Sequence, residues 1–284
     1  MLNANHWVFH WNMRRFTSMF RVDCASFNSR FQAMPWGEED WPTEPLTIDT
    51  PRFAHIVGGI HCASPAMSQA KPLKIDYVSD VVCPWCAVGL NSLHLALEKL
   101  GGEIEADIHF QPFELNPQMV PEGENVVEHI AHKYGSTPEQ VAQNQEALRQ
   151  RGAAVGFTFN LDKRDRIYNT FDAHRLLHWA ELEGKQAALK QALLEAYFTQ
   201  GENVSSHDVL ARTAASVGLD EVAARQVLDE DRYADEVREK ERFYQSQGIH
   251  SVPSIIINER YLIQGGQPPE VFEQTLRKIA AENA

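Results

Sequence analysis

The tetrapeptide Cys83-Pro84-Trp85-Cys86 sits where an extended apolar run ends and an amphipathic run begins. Upstream, Leu73, Ile75 and Tyr77 alternate with Lys74 and Asp76, the two-residue period of a strand. Downstream, a helix is expected from Pro84 to Leu100, with Gly101-Gly102 supplying a left-handed cap. Ile104, Ala106, Ile108 and Phe110 then alternate into a second strand that ends at Gln111-Pro112. A β-α-β unit of this kind pairs its strands in parallel through a right-handed crossover.

The placement gives the cysteines their chemistry. Backbone N–H groups point outward at a helix N-terminus, where the dipole favours an anion. A thiolate, the form that attacks disulfides, is stabilised there. Pro84 suits the first helical position because it has no N–H to leave unpaired. Cys86 lies one turn further on the same face and can close a small ring onto Cys83. The spacing alone also admits two buried structural cysteines, or half of a zinc site. Zinc takes four ligands, and the remaining cysteines, Cys24 and Cys62, are isolated. His129 and His132 could add nitrogens, although histidines at i, i+3 on an amphipathic helix are more often surface residues.

Between residues 116 and 247 the sequence reads as helical. One helix spans Asn125 to Tyr134. Thr137-Pro138-Glu139-Gln140 forms a capping box for another, expected to stop at Arg151 before Gly152. Phe157-Thr158-Phe159 reads as extended. Apolar stripes follow at Ala173, Leu176, Leu177 and Ala180, and at Leu189, Ala192, Leu193 and Ala196. Ser205-Ser206-His207-Asp208 resembles a second capping box, Asp220 caps a short helix, and Tyr233 to Gln247 forms a longer one. Strand signals return at Ser254–Ile257 and Tyr261–Gln264, joined by Asn258-Glu259-Arg260 as a hairpin. A last helix begins at Pro268-Pro269-Glu270. An insertion between two halves of one sheet explains this order better than two sequential domains.

Residues 1–66 carry Trp7, Trp11, Trp36 and Trp41, four of the six tryptophans, with prolines that interrupt any periodicity. They read as a poorly ordered extension, or as sequence upstream of a start at Met67. The formal charge of -13 argues against a nucleic-acid partner, since phosphate binding needs a basic face. No run approaches the ~18 apolar residues of a membrane span. The N-terminus has no charged start followed by an apolar core and a small-residue cleavage site, so a cytoplasmic location is expected.

Several spaced motifs together resemble the DsbA-like thiol:disulfide oxidoreductases of the thioredoxin superfamily, and within them the FrnE-type branch. They are Asp80 to Cys86, Pro112-Phe113-Glu114-Leu115-Asn116-Pro117, Asn169-Thr170 with Ala173-His174-Arg175-Leu176, and Ser251-Val252-Pro253. The resemblance implies an α/β thioredoxin-like fold with an inserted all-helical domain. Its first part would span residues 71–115, the insertion 116–247, and its second part 248–284. It also implies a thiol:disulfide oxidoreductase or isomerase acting on protein or peptide thiols and disulfides. The redox-active disulfide would serve in place of a cofactor, with glutathione as a candidate co-substrate and no metal. A glutathione-dependent isomerase of the 2-hydroxychromene-2-carboxylate type is the alternative, but those enzymes typically carry serine at the position of Cys83 and lack the second cysteine.

Within this framework Cys83 is the expected nucleophile and Cys86 the more buried resolving thiol, exchanging through a mixed disulfide. A cis Val252–Pro253 bond is implied beside them, leaving the Val252 backbone free to pair with an extended substrate. Trp85, Val252, Pro253, Asn169 and His174 are the expected substrate-binding residues, with capping of a helix the ordinary alternative for Asn169. Trp85 brings no charge, so a potential less oxidising than in relatives with histidine there is expected. Asp76, on the first strand, is a candidate proton relay to the resolving thiol or an exposed strand residue. His250 could tune Cys83, although a loop residue facing solvent is the ordinary reading.

Overall fold

The computed structural model describes residues 9–10 and 72–282; apart from Phe9–His10, the reading of 1–66 as a poorly ordered extension lies outside the described residues. Leu73–Ser79 forms β2 and Pro84–Leu100 forms α1, with Gly101 at φ 55° as its left-handed C-cap. Ala106–Pro112 forms β3, parallel to β2 with Ile75 opposite Ile108. The hairpin of β6 (Ser254–Ile257) and β7 (Tyr261–Gln264) completes the sheet, β6 pairing antiparallel with β2. Phe9–His10 forms β1, antiparallel to β7, so the order is β1-β7-β6-β2-β3. The hairpin turns through Asn258 and Glu259, both at positive φ, where asparagine is tolerated and glutamate is uncommon. Asn258 fixes that turn to the strand beside it: its Oδ1 accepts from the Lys74 N–H at 3.0 Å, and its own N–H donates to the Lys74 carbonyl at 2.8 Å.

Alternation along β2 separates two cores. Leu73, Ile75 and Tyr77 join the larger one with Leu90, Leu93 and Ile255. The last helix, α9 (Pro269–Glu282), contributes Phe272 and Leu276 to it. Val78 instead meets Tyr244, Ile249 and Ile256 in a second cluster. Asp76 shares the Val78 side of the strand and is only 4% exposed. The alternation therefore turns Asp76 away from Tyr77, whose hydroxyl donates to the Cys86 carbonyl at 2.9 Å. Asp76 is neither an exposed strand residue nor a relay beneath the cysteines. Its Oδ1 accepts from Gln111 Nε2 at 2.7 Å and its Oδ2 lies 3.3 Å from Lys74 Nζ.

Between β3 and β6 come α2 (Val126–Tyr134), α3 (Pro138–Ala154), α4 (Phe171–Leu182), α5 (Gln186–Glu195), α6 (His207–Ser216), α7 (Glu221–Asp229) and α8 (Ala234–Ser246). The block is not purely helical: β4 (Glu124–Asn125) and β5 (Arg166–Ile167) form a two-residue antiparallel ladder. The Thr137–Gln140 capping box forms in both directions, and Asp220 accepts from the Ala223 N–H. Ser206 caps α6 without a side-chain bond, so the second capping box does not form. α3 also runs past Gly152, which carries no left-handed stop. A Cβ there would lie 2.4 Å from the Phe159 ring, so the glycine serves close packing instead.

The block is fastened to the sheet at a strand edge. Gln186 of α5 accepts from the Phe110 N–H at 2.9 Å and donates to the Phe110 carbonyl at 3.0 Å. One side-chain amide thus satisfies both outward backbone groups of an edge residue.

Candidate active site

Cys83 is the N-cap of α1, with extended backbone (φ -89°, ψ 113°) and Pro84 following. Its carbonyl accepts the Cys86 N–H at 3.1 Å, opening the helix. Its thiol donates to the Val252 carbonyl at 3.7 Å. The Val252–Pro253 bond is cis. These contacts bring the two distant motifs into one wall. A Cβ on Gly89 would lie 3.3 Å from Pro253 Cγ, and one on Gly266 would lie 2.9 Å from the Trp85 carbonyl. The proline and the loop after β7 therefore lie against the first turns of α1.

Burial grades the motif. Cys83 is 4% exposed, Cys86 is fully buried, and Trp85 is 42% exposed. Both thiols are free. Burial first, then the hydrogen bond to Cys83 and the charge there, push the Cys86 thiol well above its ordinary value. Lys190 and the Asp80 peptide N–H oppose that rise without cancelling it.

Behind the cysteines lies a carboxylate to which no role is assigned from sequence. Asp80 is fully buried, three residues before Cys83. Its Oδ2 accepts from the Leu115 N–H at 2.8 Å, and His174 Nε2 lies 3.5 Å from its Oδ1. The same nitrogen is 3.1 Å from the Phe113 carbonyl. Both neighbours are acceptors, so Nε2 carries a proton. Burial alone would raise Asp80; the His174 hydrogen bond and charge, the Leu115 N–H and Lys190 together hold it below the ordinary carboxylate range.

The expected substrate-binding residues divide accordingly. Trp85, Val252 and Pro253 gather around Cys83. His174, 3% exposed, offers no open face to a substrate; it stands behind Asp80. Asn169 precedes Thr170, the N-cap of α4, and its Oδ1 accepts from the Phe171 N–H at 2.9 Å, so it supports the turn into the helix. His250 is exposed. His129 is taken up by Glu124 and Asn116. Among the described residues, no group of three or more His, Cys, Asp or Glu is placed to hold a metal ion.

Two further residues belong to this neighbourhood. Tyr134, at the end of α2, is raised first by burial and then by the charge on Cys83. Lys190, on α5, is 1% exposed and within electrostatic reach of Cys86, Asp80 and Cys83. Its signal was in the sequence: it falls three and four residues before Leu193 and Leu194, on the apolar side of its helix.

A thioredoxin-like sheet carrying a Cys-x-x-Cys at the first helix, with a cis proline beside it, defines a thioredoxin-fold protein with a helical insertion. The chain belongs to the family of the DSBA-like thioredoxin domain, whose sequence model matches residues 74–277. A crystal structure described as a probable DsbA oxidoreductase, from Streptomyces coelicolor, is 32% identical with a TM-score of 0.69. The match covers 75% of this chain and 91% of that one. The uncharacterized protein YwbO of Bacillus subtilis is 26% identical over 205 residues, covering 72% of this chain and 96% of that protein. The cytosolic disulfide reductase DsbM of Pseudomonas aeruginosa, solved with GSH, shares the fold at 19% identity and a TM-score of 0.51, covering 72% of this chain and 98% of that one. Among the described residues, no helix is long and apolar enough to cross a membrane.

Proposed function

We propose that the chain is a thiol:disulfide oxidoreductase or isomerase that works through Cys83 and Cys86 on protein or peptide thiols. The observation that carries this reading is the pairing of an N-cap Cys83 with a buried Cys86 whose thiol is held high. Cys83 attacks a substrate disulfide sulfur and forms a mixed disulfide. Cys86 then attacks Cys83, releasing the substrate thiolate. Run in reverse, a substrate thiolate attacks the oxidised pair. Val252 lies on the approach to Cys83, where its backbone can pair with an extended chain. Trp85 supplies an exposed aromatic surface beside it.

Glutathione is the proposed recycling thiol, and the cytoplasm the proposed location. The structure of DsbM with GSH supports considering both for this fold. The isomerase alternative fits less well, because a serine in place of Cys83 and no second thiol are what that chemistry typically uses.

The deciding experiment traps the intermediate. Cys86→Ala lacks the resolving thiol, so under mild oxidation it should accumulate partners linked to Cys83. Recovery of no mixed disulfide, together with turnover of a 2-hydroxychromene-2-carboxylate in the presence of glutathione, would replace this reading with the isomerase one.

A further inference from the structure

The segment that leaves β3 is pinned at successive residues by different elements. The Phe113 carbonyl lies 3.1 Å from His174 Nε2 on α4. The Leu115 N–H donates to Asp80 Oδ2 at 2.8 Å, and the Leu115 carbonyl accepts from Lys133 Nζ of α2 at 2.9 Å. Glu114, between them, is held by α8. There Arg238 Nη1 donates to Glu114 Oε2 and, at 2.8 Å, to Glu241 Oε2. The Glu114 side chain is 2% exposed and that of Glu241 8%.

The charges of this cluster do not balance. Two buried carboxylates meet one guanidinium through a single nitrogen. Glu114 Oε1 and Glu241 Oε1 are both buried, and neither finds a donor among the described residues. The guanidinium also lies over the Phe171 ring, 3.7 Å from its centroid, a contact that brings no further ion. Glu181, on α4, shows the balanced arrangement: one oxygen faces Lys240 at 2.9 Å and the other His109 at 3.1 Å. The remaining cationic groups beside Glu114 are engaged elsewhere. His174 Nε2 faces the Phe113 carbonyl and Asp80, and Lys133 Nζ donates to the Leu115 carbonyl and Asn116 Oδ1. A proton supplies both missing things. It cancels the excess negative charge, and it turns one orphaned acceptor into a donor.

We infer that Glu114 and Glu241 hold one proton between them and form a pH-sensitive latch. With the proton in place, the latch fastens α8 to the segment that backs the cysteine turn; when the proton leaves, two buried carboxylates repel across one arginine and the latch loosens. The device stands whether or not the cysteines exchange with a substrate. Burial first, then the charge of Glu241, raise the Glu114 carboxyl; Arg238 and His174 oppose the rise without cancelling it. The sign follows. The folded pair binds its proton more tightly than unfolded glutamates do, so the stability it supplies is complete below the ordinary 4.5 and lost as pH rises through the folded value. Asp80 and His174 grip the same segment from the other side, so loosening is felt first at Glu114 and Leu115.

Glu241→Gln tests the latch in the full-length chain. Its amide donates where the carboxylate could not and carries no charge, leaving Glu114 paired with Arg238 alone. Between about pH 5 and about pH 8 the urea midpoint of the unaltered chain should fall relative to that of E241Q. Hydrogen exchange, corrected for its intrinsic pH dependence, places the change. A proton held tenfold more tightly in the closed latch than in the open one makes opening about tenfold more frequent once it is gone. At about pH 8 the Leu115 amide should therefore be about tenfold less protected in the unaltered chain than in E241Q, while amides of β6 match. Carbon-13 titration of the glutamate carboxyls in the unaltered chain should show one proton leaving above the ordinary glutamate range, a reading that survives if the variant fails to fold. Parallel urea profiles, equal Leu115 protection, or no glutamate titrating above the ordinary range would each overturn the inference.

Discussion

His174 Nε2 stands 3.5 Å from the Asp80 carboxylate, joining the helical insertion to the turn that presents Cys83. Removing the imidazole leaves a buried carboxylate with one fewer donor. His174→Ala should therefore cost about 1–3 kcal/mol of stability, the usual penalty for a buried polar group stripped of a partner. Because Asp80 is depressed below its ordinary 3.8, its share of stability is present above that value and lost as pH falls through the folded one. Asp80→Asn should flatten the acid limb of a urea-midpoint profile below about pH 4, while leaving its neutral slope unchanged. An unaltered acid limb would contradict the assignment.

Gln186 replaces a neighbouring strand for Phe110. Truncation to alanine orphans one buried N–H and one buried carbonyl together, at a cost of roughly 1–3 kcal/mol for each group not rehydrated. Hydrogen exchange should report it directly: the Phe110 amide loses protection in Gln186→Ala, while amides of β6 keep theirs.

Gly89→Ala sets two effects against each other. Inside a helix alanine is favoured over glycine by about 1 kcal/mol. Here the new Cβ would lie 2.8 Å from the Tyr77 hydroxyl and 3.2 Å from the Gly266 backbone. Overpacking of that kind typically costs about 1–3 kcal/mol, so the clash should win. Thermal unfolding of Gly89→Ala, with Tyr77→Phe as a second variant, tests the balance. The double variant should recover only part of the loss, because the Gly266 contact remains.

His207 bridges Asp172 and Asp229 at 3.0 Å each, linking α4, α6 and α7. Burial would lower its titration, but the hydrogen bonds to the two aspartates outweigh that and raise it. Its contribution is fully present below the unfolded histidine value and lost as pH rises through the folded one. The group is partly exposed, so the effect should be small. Denaturation of His207→Ala should show a larger loss at pH 6 than at pH 9; an equal loss at both would remove the charge from the account.

Local chemistry made much of the fold legible. The strand before Cys83, the helix after it, the Thr137 cap and the 254–264 hairpin are each written in neighbouring residues. What escaped was written in pairs whose members belong to different elements. Gln186 meets Phe110 across 76 positions, and a glutamine near a helix start gives no hint of a strand edge. Gly152 looked like a stop because its partner, Phe159, lies beyond the turn that follows. Asp76 misled because alternation fixes that it opposes Tyr77, but not that its side of the sheet is covered by Tyr244. Lys190 was visible as a charge among leucines, yet only the packing of α5 reveals which groups it faces.

The contact between Cys83 and Val252 joins residues 169 positions apart. During synthesis the cysteine pair is therefore made long before the segment that covers it. At ~5–20 residues per second that interval is on the order of ten to thirty seconds. Throughout it the nascent chain carries two thiols without their wall, free to exchange with neighbouring proteins or with each other. The order of assembly exposes the newborn chain to the same chemistry that is proposed for the finished one.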